Sequence, residues 1–97
     1  MANTVTLTGF VDDEPQTKNN VGRFSISFFD GKDKDGNPVY SHQTVKVFDF
    51  SALPEKGNLV LVTGKLHKFK YNEKIYDEIH CNYDGWAIVQ RKPKGGY

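Results

Sequence analysis

Apolar residues recur along this chain at every second position, in short bursts separated by turn-forming residues. Val5, Leu7 and Val11 alternate with Thr4, Thr6, Thr8 and Phe10, the period-2 pattern of a half-buried strand. Gly9 interrupts that pattern and predicts a bulge or bend. The polar stretch 12–20, with Pro15, reads as a loop. A second strand carries Phe24, Ile26 and Phe28 on one face and Arg23, Ser25 and Ser27 on the other. Residues 30–38 hold Gly31, Gly36 and Pro38 among Asp and Asn, which predicts a long, mobile hairpin loop. A third strand spans roughly Tyr40 to Phe50, with Val45 and Val47 facing the core and Lys46, Phe48 and Phe50 opposite. Between Ser51 and Gly57 there is room for a turn or two of helix at most.

Leu59 to Phe69 forms a fourth strand, bent at Gly64. In a fifth, Ile75, Ile79 and Cys81 alternate with Tyr76, Glu78 and His80, and Asp77 breaks the apolar phase. Gly85 to Val89 supplies a short closing strand or extension. Helical periodicity and internal repeats are both missing from the sequence. Five or six short strands bent at glycines predict a small all-β barrel rather than a flat sandwich.

Composition narrows the class. A chain of 97 residues is one domain, and it buries roughly 60–68% of its unfolded surface on folding. The single Cys81 excludes an internal disulfide framework. The longest apolar run, Leu59 to Val62, is far short of the ~20 residues a bilayer crossing needs, and the first 15 residues lack a signal-peptide pattern. A cytoplasmic protein without membrane association is expected.

Known catalytic and metal signatures find no match. Placing Gly36 at the sixth position of a calcium loop puts Gly31 first and His42 twelfth, which supplies no ligands. His42, His67 and His80 are widely spaced, and phosphate-loop, nucleophile-elbow and zinc-protease motifs are absent. The protein is expected not to be an enzyme and to need no cofactor or metal.

The net charge of +1 conceals an asymmetry. Residues 1–49 carry five Lys/Arg against seven Asp/Glu, and residues 50–97 carry eight against five. The excess concentrates in Lys65, Lys68, Lys70 and Lys74, and again in Arg91, Lys92 and Lys94 within a short basic tail at 91–97. Aromatics are interleaved with these cations. Phe48 and Phe50 share a face with Lys46; Lys65, His67, Phe69 and Tyr71 fall on one side of a strand, with Lys68 and Lys70 on the other. A sequence-tolerant binder of single strands needs this combination: rings stack on unpaired bases and cations follow the phosphates. Solvated lysines beside core aromatics give the same pattern, so spacing alone leaves both readings open.

Five blocks, taken in order, resemble the domain of bacterial and phage single-stranded DNA-binding proteins. They are Val5-Thr6-Leu7-Thr8-Gly9-Phe10-Val11, Arg23-Phe24-Ser25-Ile26-Ser27, the hairpin Lys32-Asp33-Lys34-Asp35-Gly36, Val45-Lys46-Val47-Phe48, and the run from Lys56-Gly57 through Leu59-Val60-Leu61-Val62 to Gly64-Lys65-Leu66. The resemblance spans roughly residues 4–90 and implies a five-stranded OB-fold, a Greek-key barrel with long hairpin loops and little or no helix. It implies base stacking by Phe48 and by Tyr71, seven residues beyond Gly64; His42 falls where the family usually has a third aromatic. Lys32 and Lys34 lie in a loop that can close over a bound strand.

Two departures stand out. Ser51 to Lys56 is too short for the family's helix, and the acidic tip that recruits other enzymes has no counterpart, so no such recruitment is expected. A short form of this kind suits a phage or mobile element. The function expected from the resemblance is sequence-tolerant binding of single-stranded DNA, as a homodimer or homotetramer, during replication or recombination. The alternatives are a primosomal or RNA-binding OB protein, or an OB-fold adaptor for another protein.

Overall fold

In the computed structural model, which describes residues 4–82 and 85–91, every regular element is a strand. These are β1 (Thr4–Val11), β2 (Gln16–Lys18), β3 (Val21–Lys32), β4 (Pro38–Phe48), β5 (Leu59–Tyr71), β6 (Lys74–Asn82) and β7 (Trp86–Gln90). Five of them close a ring. β3 pairs with β4 and β6 with β5, both antiparallel, while β4 and β6 run parallel from Thr44↔Glu78 to Phe48↔Asn82. β1 completes the circuit by pairing with β5 from Thr4↔Lys65 to Phe10↔Leu59, and with β3 at Phe10↔Ser27 and Val11↔Ile26. This is the small barrel that the strand pattern predicts and the five-stranded Greek-key form that the resemblance implies, with β2 and β7 added on β3 and β5.

Glycine permits the closure. A Cβ on Gly9 would sit 2.6 Å from the Ser27 carbonyl oxygen, where β1 passes from β5 to β3. A Cβ on Gly64 would sit 2.5 Å from the His80 carbonyl oxygen, where β5 leaves β1 and continues along β6. Only a residue without a side chain tolerates either approach.

The inward residues of the ring form the core: Val11, Phe24, Ile26, Val45, Val47, Val60, Val62, Ile79 and Cys81. Most are β-branched, which suits a pleated interior. Val5, Leu7, Leu53, Leu66, Trp86 and Ile88 pack around it. Trp86 thus packs against the core, and its buried Nε1 has no hydrogen-bond partner among the described residues.

The structure corrects several local expectations. The stretch 12–20 is not all loop: Gln16–Lys18 folds back on β3, because Asn19 and Asn20 both take positive φ and make a two-residue turn. The 30–38 segment is shorter as a loop than expected, because both of its ends are strand. β3 and β4 extend to Lys32↔Pro38, leaving a turn over 33–37. There the Asp33 carboxylate accepts from the Asp35 and Asn37 backbone N–H groups. No helix occurs over 51–57. Ile75, in phase with the buried Ile79 and Cys81, is exposed, because the first half of β6 pairs with β5 in an arm that projects beyond the barrel. Beyond Arg91 the expected basic tail lies outside the described residues, and so do Lys92 and Lys94.

Candidate nucleic-acid interface

Strand alternation places a defined set of side chains on the outer face of the sheet β3-β4-β6-β5. Arg23 on β3 is opposite Lys46 on β4, Lys46 is beside His80 on β6, and His80 is opposite Lys65 on β5. One row of this face therefore reads Arg, Lys, His, Lys across four strands. Phe48 lies one pleat along β4, half-buried, with its ring edge-on to His80 at 5.2 Å between centroids. His67 stacks on His80 at 4.0 Å, nearly parallel.

Along the projecting arm Phe69 stacks on Tyr76 at 5.6 Å, both partly exposed, and Tyr71 follows near the arm's turn. That turn is tight because Asn72 and Glu73 both adopt positive φ. Phe48, the two histidines, Phe69–Tyr76 and Tyr71 thus follow one another along one face as an aromatic track.

Phe48 borders two depressions. A groove of about 580 Å³ runs past Lys65, His67 and His80, and one of about 450 Å³ runs past Gln16, Lys18, Arg23 and Lys46. Both are open, shallow and flanked by cations, which suits a chain of bases and phosphates better than an enclosed small molecule.

Beneath this row of basic side chains lies Glu78, with its side chain only 5% exposed. Its carboxylate oxygens are 3.3 Å from Arg23 Nη2, 3.3 Å from Lys46 Nζ and 3.2 Å from His80 Nε2. Burial pushes this carboxyl up. The hydrogen bonds with His80 and Lys46 and the charges of Lys46 and Arg23 outweigh it, so the group is held below the ordinary carboxylate range.

The other residues singled out from the sequence fall in three places. Lys68 and Lys70 occupy the opposite face of the arm, across from Asp77 and Ile75, and do not join the track. His42 lies on the outer face toward the far end of the β3–β4 hairpin, with Nδ1 2.6 Å from an Asp12 carboxylate oxygen. Lys32 and Lys34 are exposed or nearly so at that hairpin's end, distant in register from Phe48. Phe50 is a correction. Asp49 takes a positive φ of 55° just past the end of β4, which breaks the alternation and turns Phe50 onto the core.

Sequence reasoning passed over Arg23, His67, His80, Tyr76 and Glu78 as site residues. Arg23 was legible as the outward neighbour of Phe24, and Tyr76 as the cross-strand partner that a tight turn at Asn72-Glu73 gives to Phe69.

No protein-family model and no curated protein sequence matches this chain. Solved structures do. A single-stranded DNA-binding protein of Plasmodium falciparum, solved in complex with single-stranded DNA, is 25% identical, with 93% of this chain and 95% of that chain covered and a TM-score of 0.70. The mitochondrial single-stranded DNA-binding protein of S. cerevisiae is 13% identical, with coverages of 96% and 100% and a TM-score of 0.69. The dimeric N-terminal domain of PriB from Thermoanaerobacter tencongensis is 21% identical over 92% and 98%, at a TM-score of 0.53. The barrel is therefore an OB-fold, of the form found in single-stranded DNA-binding proteins.

Proposed function

We propose that this protein binds single-stranded DNA with little sequence preference, laying the strand along the outer face of β3, β4, β6 and β5. Bases stack on Phe48, on the His67–His80 pair and on the Phe69–Tyr76 pair, and Tyr71 meets the strand at the arm. Arg23, Lys46, Lys65 and Lys18 contact phosphates. Every base offers a π-face, so a track of rings beside cations binds without reading sequence. The activity is binding alone, with no bond made or broken.

The observation that carries this reading is the aromatic track itself, set on an OB barrel beside a row of basic side chains, Arg23, Lys46, His80 and Lys65, drawn from four adjacent strands. The Plasmodium protein, similar over almost the whole chain, was solved with single-stranded DNA bound.

The binding unit is a homodimer or homotetramer. β1 meets β3 only at Phe10 and Val11, so over Thr4–Gly9 one of its edges has no partner among the described residues, and a second copy can pair there across a two-fold axis. The PriB domain of similar fold is dimeric.

A fluorescence titration with labelled oligothymidylate tests the function. Tight binding is expected, weakening as salt rises with a slope of about 0.7 per phosphate contacted. Equal-length RNA and duplex DNA in the same assay separate the readings. Duplex should bind far more weakly; RNA binding tighter than DNA makes this an RNA-binding protein; and no binding to any of the three favours a protein-binding OB domain.

A further inference from the structure

Glu78 is the only acid among the strand residues of the outer face, and it lies where the single-strand reading puts phosphates. A carboxylate in that position repels the ligand. It is also nearly inaccessible, and a buried charge is tolerated only when fully paired. Here the pairing comes from three strands at once: Arg23 from β3, Lys46 from β4 and His80 from β6 itself.

The three partners differ in reach. Arg23 and Lys46 side chains are 55% and 32% exposed, so each presents its outer side to solvent while its inner side meets Glu78. His80 is nearer the floor of the groove, 24% exposed, and stacked under His67. A phosphate arriving from solvent thus reaches Arg23 and Lys46 without displacing Glu78 from His80.

We infer that Glu78 is an internal counter-anion, which holds Arg23 and Lys46 in place in the empty groove and gives way to a backbone phosphate when a single strand binds. The inference rests on the single-strand reading of the groove and names the residue that sets its electrostatic strength. With Glu78 in place, the cluster it forms with Arg23 and Lys46 brings one net positive charge to the strand instead of two. The cations stay ordered and their charge is moderated. A merely structural Glu78 would tie β3, β4 and β6 together, and removing its charge would leave the salt dependence of binding unchanged.

The test is Glu78→Gln, which keeps the shape and removes the charge. Wild type and variant are titrated with oligothymidylate over a range of salt. Without the carboxylate the cluster offers the strand one more net positive charge, which steepens the slope of log K against log salt by about 0.7, so the variant should bind about 8-fold tighter at ~50 mM salt and match wild type near ~1 M. An unchanged or shallower slope in a folded variant overturns the inference. If wild type itself fails to bind at low salt, the single-strand reading fails instead.

Should Glu78→Gln not fold, wild type answers by carbon-detected NMR. Saturation with oligonucleotide should shift the Glu78 carboxyl carbon together with the Arg23 guanidinium and Lys46 ammonium signals. A bound strand that leaves the Glu78 and Arg23 signals unmoved overturns the exchange.

Discussion

Two phenylalanines two residues apart give a contrast that the alternation rule cannot foresee. Phe48 ends β4 on the outer face, half-buried, with one ring contact to His80; Phe50 lies past the Asp49 kink and packs on the core. Truncating Phe48 to Ala removes a stacking platform worth about 1–3 kcal/mol per base, so oligothymidylate binding should weaken about 5- to 150-fold. Folding should lose little by comparison. The edge-on pair with His80 is worth about 0.5–1.5 kcal/mol, and the ring is not part of the buried cluster.

Phe50→Ala should behave in reverse. Its ring seals the core, and truncation approaches the lower part of the range of about 3–5 kcal/mol seen for buried Phe, with affinity per folded molecule unchanged. The assay is fluorescence anisotropy with a labelled oligothymidylate, corrected by the folded fraction from a thermal melt followed by circular dichroism. The reasoning is refuted if Phe48→Ala binds within about 2-fold of wild type while melting much lower, or if Phe50→Ala loses affinity at unchanged stability.

Further outcomes follow from the same geometry. Phe69→Ala and Tyr76→Ala should each weaken binding with little change in melting temperature, and the double variant should lose less than the sum, because the two rings form one stacked platform. A double variant losing the full sum would show that the rings act separately. Glu78 has its folded-state titration lowered from an ordinary value of 4.5, so its stabilisation is present above that pH and is lost as pH falls through the lower folded-state value. Glu78→Gln should therefore flatten the acid limb of a plot of melting temperature against pH, and a wild-type acid limb in the variant would assign that limb to other groups. Sedimentation at tens of micromolar should show a species heavier than the 11.0 kDa chain, and a monomer alone would refute pairing through the open edge of β1.

The barrel was legible because a period of two is a strong signal where one face is buried. Phe24 and Ile26, Val45 and Val47, and Ile79 and Cys81 all sit inside as their alternation predicts, and Gly9 and Gly64 mark the places where the ring closes. Periodicity reports which residues share a face of one strand. It is silent on which strands lie side by side. The parallel pairing of β4 with β6, which sets Lys46 beside His80 and over Glu78, joins segments more than thirty residues apart and leaves no local mark. Ile75 and Phe50 failed for opposite reasons. Ile75 keeps the apolar phase of its strand but lies on an arm with no barrel beneath it, and Phe50 loses the phase at a positive φ that Asp49 tolerates. Lys68 and Lys70 show the same limit: a dense run of lysines marked the right hairpin, and the structure put them on the side away from the track.

The central claim is that a single strand lies on the outer face of β3, β4, β6 and β5. Amide chemical-shift mapping of the nitrogen-15-labelled protein with unlabelled oligothymidylate tests it most directly. The largest shifts should fall at Arg23, Lys46, Phe48, Lys65 to Tyr71, and Tyr76 to His80. Shifts confined to Thr6, Thr8 and Leu61, on the face that β1 and β5 share away from the track, would contradict it.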